Sequence, residues 1–188
     1  MKKHIYVYPF LKFSKFLRLM KFFAISLVLL VFVRCNTAPN PVKKELNEIA
    51  KEIMTNAKNC TFITIDSLGV AHARAMDPFL PEEDFTVWMG TKSSSLKVKQ
   101  IQKNNNATLY YFDEKSVSYV TLQGIASIVN TQNEKEKYWK EEWKNFYKNR
   151  TSDYVLIKFT PKTGNVISEK YKILGDSITW KTPQIKFY

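Results

Sequence analysis

Cysteine and histidine are scarce in this 188-residue chain, with two of each. Two cysteines make no disulfide scaffold, and there is no Cys/His array for structural zinc. His4 lies in a basic N-terminal leader, so the body keeps one histidine, His72. That excludes metal sites built on two or more histidines and leaves His72 as the sole base for a Ser-His-Asp triad. No Gly-x-Ser-x-Gly elbow, Gly-x-Gly-x-x-Gly turn or Gly-x-x-x-x-Gly-Lys-Ser/Thr loop occurs, so neither a Rossmann nor a P-loop nucleotide site is indicated. The carboxylate runs Glu82-Glu83-Asp84 and Glu141-Glu142 lie in polar surroundings and read as solvated faces. An enzyme with this inventory draws its chemistry from a bound cofactor.

Acidic residues are outnumbered, 17 against 29 basic ones, for a net charge of +12. The excess is uneven. Residues 1–34 hold seven basic residues (Lys2, Lys3, Lys12, Lys15, Arg18, Lys21, Arg34) and no acidic one. The remainder has 22 basic against 17 acidic residues, so the body is only mildly basic and nucleic acid is not the expected partner.

The longest apolar run, residues 22–33 (FFAISLVLLVFV), has 12 residues. A spanning helix needs about 20, whereas the core of an export signal is this short. Cys35 follows at once, then a polar linker with Pro39 and Pro41. A Cys in that place resembles the bacterial lipoprotein pattern, in which it is acylated and becomes the new N-terminus. Arg34 departs from the small residue usual before that Cys, so an uncleaved anchor remains a second reading. A start at Met20 would give a compact signal, leaving residues 1–19 as an over-extended start. The expected organisation is therefore an exported, membrane-anchored chain: leader 1–35, linker 36–41, and one domain over 42–188.

The body alternates periods. Pro41 to Asn59 reads as an amphipathic helix, with Leu46, Ile49, Ala50, Ile53, Met54 and Ala57 on one face. Residues 60–65 and 70–76 read as a hairpin around Asp66-Ser67-Leu68-Gly69, and residues 85–89 as a further strand. Cys60, opening the first strand, reads as a small buried hydrophobe. A short polar helix is expected over 93–103, and strands over 107–112 and 116–130, with a bend at Gly124. Residues 133–149 read as a helix with an aromatic stripe, in which Trp139 and Trp143 are packing residues. A last hairpin is expected from 154–160 and 165–173 around Pro161-Lys162-Thr163-Gly164, followed by an irregular tail carrying Trp180. Short turns favour antiparallel pairing, and the expected fold class is mainly β with flanking helices: six or seven antiparallel strands closing into a small barrel.

The most informative stretch is residues 88–97 (WMGTKSSSLK), a strand end followed by a tight turn and a helix start. Hydroxyls at Thr91 and Ser93 to Ser95, flanking Lys92 and Lys97, and backbone N–H groups at a helix N-terminus suit an anion; a Ser-rich cap with solvated lysines is the plainer reading. Arg74 lies on an upstream strand, two residues from His72 and on the same face, and could add a planar phosphate contact.

In this order of motifs the chain resembles the FMN-binding split-barrel family related to pyridoxamine-phosphate oxidases, and within it the general-stress-protein branch. The resemblance runs from about Leu46 to Thr160. It rests on Arg74-Ala75-Met76, on Thr91, Ser95 and Lys97 in a Thr-x-x-x-Ser-x-Lys spacing, on residues 109–113 (LYYFD), and on residues 119–126 (YVTLQGIA) before an acidic, Trp-containing helix. It implies a split β-barrel that binds FMN non-covalently. Arg74 and Lys97 would pair with the phosphate, and Thr91 and Ser95 would donate hydrogen bonds to it. The backbone at Ala75 and Met76 would run along the flavin ring, and Tyr119 would make a polar contact. It further implies a homodimer with flavin sites lined by both chains, and electron transfer between a small donor and a small acceptor. Leu96 stands where the oxidases carry a basic residue, and no His follows residue 72, so the Arg-x-His substrate signature is missing. The resemblance therefore does not extend to pyridoxamine-phosphate oxidase activity. A non-enzymatic module carrying flavin or haem on the same scaffold is the alternative.

Overall fold

A computed structural model describes residues 42–187. The expected leader with its Cys35, and the linker, lie outside the described residues. Helix α1 (Val42–Ala57) opens the fold. Its predicted apolar face is the one that packs: Ile49, Ala50, Ile53 and Met54 are buried, and Leu46 and Ala57 lie against the same core. Strands β1 (Cys60–Ile65) and β2 (Ala71–Met76) pair antiparallel around the expected turn. That turn is held by Asp66, whose Oδ1 accepts the N–H groups of Leu68 and Val70, both at 2.9 Å.

Strand β3 (Val87–Lys92) runs three residues past the predicted strand end, so Thr91 lies on the strand rather than in a turn. Helix α2 (Leu96–Lys103) starts three residues later than predicted. Strands β4 (Asn106–Asp113) and β5 (Ser118–Val129) follow, then helix α3 (Gln132–Lys137), a 3-10 turn (Glu141–Asn145), β6 (Tyr154–Ser168) and β7 (Gln184–Lys186). All pairing is antiparallel, in the order β2-β1-β4-β5-β6-β3, with β7 on β6. A bridge from Pro78, just past β2, to Met89 on β3 joins the two edges of that row and draws it into a barrel. The fold is the expected mainly β split barrel with flanking helices.

Two expectations fail, for local reasons. The predicted hairpin over 154–173 is one 15-residue strand, β6. Its Pro-Lys-Thr-Gly signal is a bulge: the β5–β6 register shifts between Gln123 and Gly124, so Gly124 faces Pro161 while Gln123 faces Thr163. Proline without an N–H is tolerated at such an irregularity. Gly124 is required there, because a Cβ would stand 2.2 Å from the Thr160 carbonyl oxygen. The reversal comes later, where Ser168 bridges Ile173.

The predicted helix over 133–149 is broken after Lys137. The break follows from what its aromatics contact. The Tyr138 ring stacks on Trp88 at 4.3 Å and its hydroxyl donates to Glu82. Lys140 Nζ is held by Asp77 at 2.5 Å, and the Trp143 ring rests on β3 over Gly90. A Cβ at Gly90 would lie 2.4 Å from that ring, so only glycine admits it. Trp88, Tyr138, Trp143, Tyr154 and Leu156 form a second core on the outer face of β3 and β6. Trp139 and Trp143 remain packing residues, their rings edge-on at 5.9 Å. Among the described residues no helix is long and apolar enough to cross a membrane.

A cation-rich candidate site between two strands and a helix

Register assigns the faces. Arg74 lies opposite Phe62 and His72 opposite Thr64, so both point with β1's buried residues, whereas Ala75 lies opposite Thr61 on the outer face. Thr91 lies opposite Val155 and shares the inner face of β3 with Met89 and Val87. Helix α2 packs against β1 and β5 through buried Val98, Gln100 and Ile101. Its start therefore brings Ser95 and Lys97 to the end of β3, and its middle reaches β1.

Four of the predicted residues meet there. Lys97 Nζ donates to Thr91 Oγ1 at 3.1 Å, and the Thr91 and Ser95 hydroxyls lie 3.2 Å apart. Ser95 caps α2 by position, but its side chain makes no cap hydrogen bond. Arg74 reaches the same helix through Gln100, three residues on from Lys97, with Nη2 to Oε1 at 3.1 Å. Burial first, and the Arg74 charge second, pull the Lys97 ammonium below the ordinary lysine value. Burial draws Arg74 down as well, although a guanidinium stays charged at any physiological pH. Among the described residues neither cation has a carboxylate partner; their hydrogen bonds go to hydroxyls, an amide and a carbonyl.

The other predicted residues are placed differently. Met76 follows Arg74 on the inner face and packs on the main core, while Ala75 is exposed. Tyr119 lies on the outer face of β5, its ring 5.6 Å from Tyr110. It shares that face with Ala75 across three strand spacings, roughly 14 Å, so one chain does not bring Tyr119 to the cation cluster. His72 is engaged by Asp66, Nε2 to Oδ2 at 2.9 Å. Cys60 is buried and its thiol is pushed up to about 12 by burial, which keeps it inert. Leu96, at the start of α2, is exposed.

Two residues absent from the sequence reading complete the cluster. Thr64 and Gln100 are buried and receive Arg74, Nη1 to Thr64 Oγ1 at 2.6 Å and Nη2 to Gln100 Oε1 at 3.1 Å. Gln100 was detectable in principle, since it lies three residues after Lys97 and shares its helix face. Thr64 carried no signal beyond its place in a β-branched strand.

The pyridoxamine 5'-phosphate oxidase-like family model matches residues 44–180. Among solved structures, a protein from Clostridium acetobutylicum related to general stress protein 26 superposes with a TM-score of 0.63 at 21% identity, over 76% of this chain and 95% of its own. General stress protein 26 from Bacillus anthracis gives 0.58 at 27% identity, over 65% and 94%. A pyridoxamine 5'-phosphate oxidase-related, FMN-binding protein from Nostoc punctiforme gives 0.55 at 10% identity, over 81% and 98%. No curated protein matches the sequence.

Proposed function

From the premise that the chain belongs to the pyridoxamine 5'-phosphate oxidase-like family, we propose that it is an FMN-binding flavoprotein whose cofactor phosphate is held by Arg74, Lys97, Thr91 and Ser95. The observation that carries the reading is the pair of cations, Arg74 and Lys97, with neutral partners only. Two like charges drawn together and partly buried are costly until an anion joins them. A phosphate monoester brings two negative charges and three acceptor oxygens, which suits a guanidinium, an ammonium and two hydroxyls.

Each group has a part. Arg74 supplies planar donors, Lys97 a compact charge, and Thr91 and Ser95 hydroxyl hydrogens. Flavin, when bound, supplies hydride or single-electron transfer. Among the described residues, His72 is tied to Asp66 and Cys60 is buried.

We read the protein further as a flavin-dependent oxidoreductase acting between a small donor and a small acceptor, working as a homodimer. The half-buried outer face of β1, β4 and β5, with Ile63, Tyr110 and Tyr119, is the surface offered to a second copy. A Tyr119 contact to the cofactor would then come from the partner. The apolar run 22–33 and Cys35 support export and lipid anchoring; replacing Cys35 with Ala should release the chain from the membrane fraction. The test of the central reading is the absorbance of the purified protein supplied with FMN. Bands near the usual flavin positions that persist through gel filtration are expected. A colourless protein after that step would reject the assignment.

A further inference from the structure

The manner in which Arg74 is held says what the site selects. Thr64 Oγ1 accepts Arg74 Nη1 and donates to Gln100 Oε1 at 2.7 Å, and the same Gln100 oxygen accepts Arg74 Nη2. Arginine only donates, so the hydroxyl proton has one place to go, and both neighbours require the carbonyl end of Gln100. The Phe62 carbonyl adds a longer contact at 3.4 Å. The guanidinium is thus fixed in plane and position by three neutral oxygens, and its charge is left whole.

Elsewhere Lys137, Lys140, Lys144 and Lys170 each face a carboxylate, while Lys135 is held, like Arg74, by neutral oxygens alone, those of Asn130 and the Thr151 carbonyl. Glutamate at position 100 has the same shape and would satisfy Thr64 and Arg74 as well or better, in a charge-assisted pair. It would also cancel the positive charge.

We propose that Gln100, supported by Thr64, is a positioning residue that holds Arg74 oriented yet uncompensated, and so sets the site's preference for a phosphate monoester over its dephosphorylated counterpart. This rests on the phosphate-binding part of the reading above, and the flavin part can fail without it. The neutral pair orders the guanidinium before the ligand arrives, so that order is not imposed on binding.

The experiment compares the full chain with Gln100→Glu, using FMN, riboflavin and inorganic phosphate by calorimetry and thermal unfolding. In the native chain, phosphate raises the midpoint and FMN binds more tightly than riboflavin. In Gln100→Glu the phosphate-induced rise disappears and the FMN-to-riboflavin affinity ratio falls by at least about tenfold, with riboflavin affinity itself little changed. A Gln100→Glu chain that keeps both the ratio and the phosphate response overturns the proposal. So does a native chain that neither responds to phosphate nor distinguishes the two flavins. A native chain that responds to phosphate but binds neither flavin rejects the flavin reading alone, and the phosphate response then decides the role of Gln100. Should Gln100→Glu not fold, Gln100→Met removes the acceptor without adding charge. A loss of about threefold to tenfold in the ratio or the phosphate response is then expected, and no loss overturns the proposal.

Discussion

The two faces of β3 are built on opposite electrostatic plans. On the outer face, Trp88 and the ring of Trp143 over Gly90 belong to an aromatic core. Beside it Lys140 meets Asp77, Lys137 meets Glu82 and Lys144 meets Glu141, while Lys135 and Arg150 lie over the rings of Tyr154 and Trp139 and donate to neutral oxygens. On the inner face, one residue along, Thr91 opens onto Lys97 and Arg74, which have only neutral partners. The first arrangement is complete within the chain. The second, on the reading proposed above, is completed by an anion. Stability and binding should therefore respond to different substitutions, although the two faces share one strand.

The largest effect is expected from Trp143→Ala. It empties the space over Gly90 and should cost about 3–5 kcal/mol of stability, measured by denaturant unfolding. Affinity of the folded protein for FMN should stay within about twofold, since Trp143 touches no phosphate-binding group. A parallel loss of affinity would show that the two faces are not separable.

pH should sharpen the contrast. Lys97 titrates below the ordinary lysine value of 10.5 because burial and Arg74 disfavour its charged form. As pH rises through that lowered value the ammonium is lost, and phosphate-dependent affinity should fall by about tenfold, followed by titration calorimetry on the alkaline side of neutral. The stability of the ligand-free protein has the opposite sign. Between the folded and unfolded values the unfolded chain binds more protons, so Lys97's contribution to stability grows with pH in that window. Affinity and ligand-free stability changing in the same direction there would argue against a depressed Lys97.

The smallest effect belongs to an exposed tie. Glu52 on α1 accepts Lys170 Nζ at 2.7 Å and the Tyr171 hydroxyl at 2.6 Å, and these hydrogen bonds hold its carboxyl below the ordinary glutamate pKa. Glu52→Gln should cost about 0.5 kcal/mol at neutral pH, because both ends are solvated. A depressed carboxylate contributes above its unfolded value and loses that contribution as pH falls, so variant and native chain should converge in acid unfolding.

Much of the barrel could be read in the sequence wherever periodicity and burial agree. The α1 face, the hairpin of β1 and β2 and the bend at Gly124 follow from apolar spacing and turn chemistry. Residues 161–164 misled because Pro and Gly mark bulges as well as turns, and only the neighbouring strand distinguishes the two. Residues 133–149 misled because an aromatic stripe fits a helix, while Tyr138 and Trp143 are drawn separately onto Trp88 and Gly90. At the candidate site Arg74, Thr91, Ser95 and Lys97 stood out from the strand-end stretch 88–97 and its upstream strand, and the resemblance then gave them their expected roles. Gln100 lies in a stretch legible only as a short polar helix, and its contact with Arg74 depends on β1 lying across from α2.

The central claim is that Arg74 and Lys97 grip a phosphate, and the most direct measurement is the affinity of FMN against riboflavin in the native chain and in Arg74→Ala/Lys97→Ala. The account predicts tighter binding of FMN by the native chain, a loss of at least about 100-fold in FMN affinity for the double variant, and nearly equal binding of the two flavins once the cations are gone. An unfolding midpoint close to native would show that the barrel survives. A double variant that folds and still prefers FMN as strongly as the native chain would contradict it.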